Sequence, residues 1–268
     1  LYIRDEVSWS ALITGYVKEE KHTRALTCFE RMQIEGLSPD AVTFSCILKV
    51  CGSIGDVEKG RELEVAIGSK GLLVSNLIVG NALIDMYAIC GALYKAREVL
   101  EELHVRDVVT WTGLISGYSH YGQGEEALQC FTRMRTENLS PNVITFTCIL
   151  KACGITGAIE KGKQIHDEIV NKGLLKKDSV LRTALVDMYA KCGELGKAQR
   201  LFDELLIRDV VSWNALISGY IEHGCTDEAL DCFERMQLEG LSLDAVAFIS
   251  SLKACGSIRG VEQGEELH

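Results

Sequence analysis

Arg106-Asp107-Val108-Val109-Thr110-Trp111 is one of three near-copies of a single phrase; the others are Arg4-Asp5-Glu6-Val7-Ser8-Trp9 and Arg208-Asp209-Val210-Val211-Ser212-Trp213. Trp9, Trp111 and Trp213 are the only tryptophans, and each step between them is 102 residues. A chain that copies itself at a fixed period is an array of stacked units, and an array is not built around one deep catalytic pocket.

Each period resolves into three related parts. After the phrase, apolar residues recur at helical spacing, as in Trp111, Leu114, Ile115 and Tyr118. Ser8, Thr110 and Ser212 are residues able to cap this helix, and its start is expected there. A break at Tyr121-Gly122-Gln123-Gly124 precedes a second helix from Glu125 through Phe131 and Met134 to about Asn138. Gly36 and Gly240 hold the equivalent terminating place, and Pro39 and Pro141 prevent continuation. The next two parts repeat the plan around Thr145–Gly154 and Ala184–Gly193. No alternation of period two is long enough for a sheet, so the expectation is an all-α chain, an α-solenoid of helix–turn–helix units.

Composition agrees with a folded helical chain: 47% apolar, 25% charged and only 2 prolines. No run of residues approaches a membrane span, and the first residues are no targeting segment. Because the chain begins and stops inside units, it reads as an excerpt. The 11 cysteines mostly recur with the period: Cys28, Cys130 and Cys232; Cys51, Cys153 and Cys255; Cys46 and Cys148; Cys90 and Cys192. With no Cys-x-x-Cys among them and small apolar neighbours, they read as packing thiols in a reducing compartment, not as metal ligands. His166 and His268 are equivalent, but Glu64 takes the same place. That exchange excludes a ligand or catalytic role. No phosphate-cradling glycine loop, nucleophile elbow or paired acid and base appears, so no enzyme activity and no cofactor are expected.

Two phrases carry a family likeness. Val211-Ser212-Trp213-Asn214-Ala215-Leu216-Ile217-Ser218-Gly219-Tyr220 and Thr183-Ala184-Leu185-Val186-Asp187-Met188-Tyr189-Ala190-Lys191-Cys192-Gly193 closely resemble pentatricopeptide repeats. The cycle of 35, 36 and 31 residues resembles the plant subclass that alternates ordinary, long and short motifs. The resemblance implies a right-handed solenoid with units at 6–40, 41–76, 77–107, 108–142, 143–178, 179–209 and 210–244, the end of a short motif at 1–5, and a truncated long motif from 245. It also implies binding of single-stranded RNA, one base per unit, in plant chloroplast or mitochondrial RNA editing or processing. Editing-factor proteins or a second copy of the chain are the implied protein partners, and no membrane is involved.

In that family the fifth and last residues of a unit read the base edge and the second packs on the base. The resemblance therefore pairs Ser10 with Asp40, Asn81 with Asp107, Thr112 with Asn142, Thr183 with Asp209 and Asn214 with Asp244; the long units offer Ser45 with Asn76 and Thr147 with Asp178. Val7, Ile78, Val109, Val180 and Val211 would clamp bases, and Lys18 and Lys191 would meet phosphate. The chemistry fits. An ionised Asp only accepts and suits the N–H edges of uracil and guanine, whereas Asn both donates and accepts and suits adenine or cytosine. A small Ser or Thr leaves room for a purine. The implied target is G-n-U-A-n-G-U.

Simpler readings of the same residues exist. A branched residue at the second place can be core, Asp at a boundary is often a helix cap, and the tryptophans read as packing aromatics. The net charge of −10 is unusual for a nucleic-acid binder, so RNA binding must rest on a local groove. It fits the competing expectation, a protein-binding scaffold of tetratricopeptide type.

Overall fold

The computed structural model describes residues 5–176 and 178–241. Among them every regular element is helical, the all-helical repeat architecture expected from the sequence. The helices are α1 (Glu6–Lys18), α2 (His22–Ile34), α3 (Ala41–Ile54), α4 (Val57–Ser69), α5 (Leu72–Ser75), α6 (Leu77–Ile89), α7 (Leu93–Glu102), α8 (Val108–His120), α9 (Gly124–Thr136), α10 (Val143–Thr156), α11 (Ile159–Asn171), α12 (Ser179–Lys191), α13 (Leu195–Asp203), α14 (Val210–Glu222) and α15 (Thr226–Leu238). They sort into two compact bodies. Among the described residues, one holds 5–121 with Gln129–Ser140; the other holds Gly122–Leu128 with 141–176 and 178–241.

The two helices of a hairpin differ in pattern because they differ in neighbours. Second helices bury one stripe, such as Ala229, Cys232, Phe233 and Met236 of α15, and leave charges outside. First helices touch neighbours on several sides. Thus α6 packs on α3, α7 and α8 in the first body, and α12 on α10, α13 and α14 in the second. Accordingly α6 buries Val79, Gly80, Leu83, Ile84, Met86, Tyr87 and Ala88. The first helices of each body therefore form a layer of their own, with the second helices behind it. Close approach within that layer needs glycine: a Cβ on Gly219 would lie 2.4 Å from the Ala190 Cβ.

The tryptophans are core, at 0–1% exposure. Each indole Nε1 donates to a glutamate 26 residues on: Trp9 to Glu35 at 3.0 Å, Trp111 to Glu137 at 2.7 Å, and Trp213 to Glu239 at 3.2 Å. Arg106 and Arg208 donate to the same Glu137 and Glu239. The tie satisfies a buried polar N–H and fastens the start of one helix to the end of its partner. Hairpins then end as the turn residues dictate: Gly36, Asn138 and Gly240 all adopt positive φ, and Asn is the side chain that tolerates it.

Helix starts differ from expectation by three residues. Ser8, Thr110 and Ser212 are not the caps but the third residues of α1, α8 and α14; the caps are Asp5, Asp107 and Asp209. An aspartate before the helix accepts the third amide, and the Thr110 and Ser212 hydroxyls close capping boxes by accepting from the Asp107 and Asp209 amides. The ten described cysteines form no disulfide among themselves, and Cys51, Cys130, Cys153 and Cys232 are buried. Burial pushes Cys51 up to about 11 and Cys153 up to about 12, which keeps them protonated and inert. Cys255 lies outside the described residues. His166 is half-buried against the Tyr189 hydroxyl at 2.9 Å, and Glu64 makes the equivalent bond to Tyr87 at 2.6 Å. The histidine–glutamate exchange keeps a hydrogen-bond partner for the tyrosine hydroxyl.

Candidate nucleic-acid interface

The face of the first-helix layer turned away from the core carries the second-place residues. Val7, Ile78, Val109, Val180 and Val211 are all exposed, between 51% and 75%. A core role is therefore excluded, and branched apolar side chains left in solvent are what a flat aromatic ring could pack on. Val42 and Ile144 hold the same place in the long units and are exposed as well. Sequence reasoning omitted them, although the register itself points to them.

The last residue of every described unit is a helix cap. Asp40, Asn76, Asp107, Asn142, Asp178 and Asp209 each place Oδ1 on amides of the following helix. Capping does not use up these side chains. Asn142 Oδ1 accepts from the Thr145 amide and hydroxyl, both at 2.9 Å, which leaves Nδ2, a donor, with capacity to spare. Capped aspartates retain Oδ2, an acceptor. The mixed donor–acceptor character expected of Asn is thus narrowed: once Oδ1 is engaged, Asn offers a donor where Asp offers an acceptor.

Fifth-place residues differ in environment from unit to unit. Ser10 and Thr112 are buried on the layer. Asn81 meets its predicted partner directly, donating to Asp107 Oδ1 at 3.3 Å while its own Oδ1 accepts from the Thr110 hydroxyl at 2.7 Å. Burial opposes the charge on Asp107, but the Thr110 amide and hydroxyl and Asn81 outweigh it and hold the carboxyl below its ordinary value. In the long units Ser45 and Thr147 turn their hydroxyls back to the Ala41 and Val143 carbonyls. Asp244, the partner of Asn214, lies outside the described residues.

In the second body an open groove of about 690 Å³ runs along α10, α12 and α14. Thr147, Val180, Thr183, Lys191, Asp209, Val211 and Asn214 all line it, so one surface gathers seven of the sequence-derived candidates. Lys151, which sequence reasoning missed, lines it too. Lys191 is not a free cation there: its Nζ is 2.9 Å from Asp187. In the first body a recess of about 470 Å³ is bordered by Lys18 and Lys49, and another of about 400 Å³ by Asp85, Ser116 and His120. Asp85 keeps contact with water but sits low between α6 and α8, and that crowding pushes its carboxyl up to about 6.

Layered two-helix units presenting polar side chains on one open face define a helical-repeat protein. The family described as the PPR repeat family matches residues 4–53, 106–154 and 208–257, and the PPR repeat itself matches 81–108, 144–174 and 180–210. The chain belongs to the pentatricopeptide repeat family. Among its relatives in Arabidopsis thaliana, the pentatricopeptide repeat-containing protein At2g33680 is 38% identical over 261 residues, covering 97% of this chain and 36% of the relative. At1g15510, named chloroplastic, is 33% identical over 266 residues, covering 99% and 30%. This chain spans between 30% and 47% of the length of such relatives. Of solved structures, the pentatricopeptide repeat protein PPR10 in complex with an 18-nt psaJ RNA element superposes with a TM-score of 0.84 at 22% identity, over 99% of this chain and 40% of that one. At that identity the likeness speaks for the fold.

Proposed function

We propose that this chain binds single-stranded RNA in a sequence-specific manner, one base per unit, as an array of the subclass with ordinary, long and short motifs. The observation that carries the proposal is the groove of the second body, where second-place valines, fifth-place Thr183 and Asn214, and boundary Asp209 share one open surface. Family membership and the RNA named in the PPR10 complex support it. In the proposed register Ser10/Asp40 reads G, Asn81/Asp107 reads U, Thr112/Asn142 reads A, Thr183/Asp209 reads G and Asn214/Asp244 reads U. Each described unit-end residue then does two jobs: Oδ1 caps a helix, and the remaining Oδ2 or Nδ2 chooses between N–H and lone-pair base edges. Relatives named chloroplastic and mitochondrial support an organellar setting, and the proposed role is RNA editing or processing, with the chemistry supplied outside this segment.

Two measurements test this. Titration with G-n-U-A-n-G-U RNA, a scrambled RNA and the DNA equivalent should rank the first tightest, with about 1–3 kcal/mol lost per mismatched base. Equal affinity for all three would sink sequence reading. Asn142→Asp keeps the capping oxygen but exchanges donor for acceptor, so the preference at that step should move from A toward G while stability stays within about 0.5 kcal/mol. An unmoved preference means the register is wrong. A protein-binding scaffold is the second reading, favoured by the net charge of −10; RNA affinity that is weak and indifferent to sequence would select it.

A further inference from the structure

The ninth place of each unit follows motif type along the whole chain. It is Lys49 and Lys151 in the long units, Asp85 and Asp187 in the short units, and the hydroxyls Thr14, Ser116 and Ser218 in the ordinary ones. The ninth place is one helical turn beyond the fifth, so its side chain shares the stripe that carries the base-reading place. Lys49 and Lys151 are both exposed. Lys49 borders the recess it shares with Lys18, and Lys151 lines the groove shared with Thr183 and Asn214.

Three features bear on what these lysines do, the first of which Lys18 shares. Neither ammonium enters an ion pair among the described residues, whereas Lys59, Lys95, Lys163 and Lys172 on or beside the second helices are all paired with glutamates. Lys191 is held by Asp187, so a phosphate there must displace a carboxylate. And the long units are poorly equipped to read a base. Ser45 and Thr147 donate their only hydroxyl protons to their own helices at 2.8 and 3.0 Å. Their boundary residues cap differently too. Asn76 and Asp178 share one oxygen between two amides at ψ of 99° and 109°, against ψ near ±180° at Asp40, Asp107, Asn142 and Asp209.

From these observations we infer that the long units hold the strand by its phosphates, through Lys49 and Lys151, and leave the opposing base unread. The inference rests on the RNA-binding reading above. It resolves how a chain of net charge −10 meets a polyanion: few cations face the strand's path, and Lys49 and Lys151 stand there without a carboxylate partner.

The test is a salt titration of RNA binding by the wild-type chain, by K49Q/K151Q, and by the charge-matched control K95Q/K163Q on the second helices. Each lost phosphate contact lowers the slope of log K against log salt by about 0.7 for a single strand. K49Q/K151Q should therefore flatten the slope by roughly 1.4 and weaken binding roughly 25-fold at about 0.1 M salt. The ratio of matched to scrambled RNA should be unchanged, and changing either base opposite a long unit should leave affinity within about two-fold. An unaltered slope, an equal loss in K95Q/K163Q, or discrimination among bases opposite the long units overturns the inference while RNA binding stands. A wild-type chain that binds no RNA overturns both.

Discussion

The short units 77–107 and 179–209 are equivalent, 102 residues apart, yet their electrostatics are opposed. At the ninth place both carry aspartate. In the second, Lys191 stands one turn on and pairs with Asp187; in the first that place is Ile89, and Asp85 is left with a carboxyl raised to about 6. At the fifth place Asn81 is tied into a network with Asp107 and Thr110, whereas Thr183 lines an open groove. Behind them Tyr87 donates to Glu64, and Tyr189 meets His166. The shared framework tolerates all of this because capping, helix packing and the tyrosine bond need only a hydrogen-bonding partner or a volume, not a particular charge. Charge on the open face is consequently adjustable unit by unit.

That contrast can be broken at several points. The largest effect is expected at the caps that close the two units. Asp107 accepts from the Thr110 amide and from Asn81, while Asp209 accepts from the Ser212 amide. Asp107→Ala should therefore cost about 2 kcal/mol locally and Asp209→Ala about 1. Amide hydrogen exchange in the first turns of α8 and α14 reads this directly, which suits a chain of two bodies better than one unfolding curve. Equal losses would mean the Asn81 network adds nothing.

Next in size is Ile89→Lys, which copies the Asp187–Lys191 spacing into the first unit. The Asp85 midpoint should fall by about one pH unit or more, read from its carboxyl carbon resonance. A midpoint that stays near 6 would show that the groove walls, and not the missing cation, set it. Asn81→Ala should cost about 1 kcal/mol, against no more than about 0.5 for Thr183→Ala, in the same exchange experiment.

The smallest effect is one of sign. Asp85 has a folded value above its ordinary 3.8, so it favours the fold below that value and loses this contribution as pH rises through about 6. His166 is lowered by burial, then by the charge of Lys197, so its contribution is present above the ordinary 6.5 and is lost as pH falls through its lowered value. Acidification from about pH 7.5 to 5 should accordingly protect α6 and deprotect α11, the helix that carries His166. Parallel changes in both helices would refute the contrast.

Much of this was legible in the sequence. The period, the hairpins, the left-handed terminators and the buried tryptophans follow from apolar spacing and turn residues. The helix starts were misjudged because Asp-x-x-Ser and Asp-x-x-Thr hold two residues able to cap; the carboxylate takes the cap and the hydroxyl answers from the third position. Lys49 and Lys151 recur at the 102-residue spacing, but the family resemblance points to Lys18 and Lys191 for phosphate and so directs attention away from them. The state of Asp85 could not be read at all. It depends on α8 presenting Gly113 beside it, where a Cβ would fall 2.3 Å from Asp85 Oδ1, and such crowding exists only after helices from different units meet.

The indole–glutamate bond acts as a gauge of length. In all three ordinary units it spans 26 residues, joining Trp9 to Glu35, Trp111 to Glu137 and Trp213 to Glu239. A residue inserted between its ends must either open the bond or bulge from the hairpin turn, while one added outside it leaves the loop intact. Protein chemists wishing to extend such a chain should therefore cut between loops, and its reach along any ligand will change in whole steps.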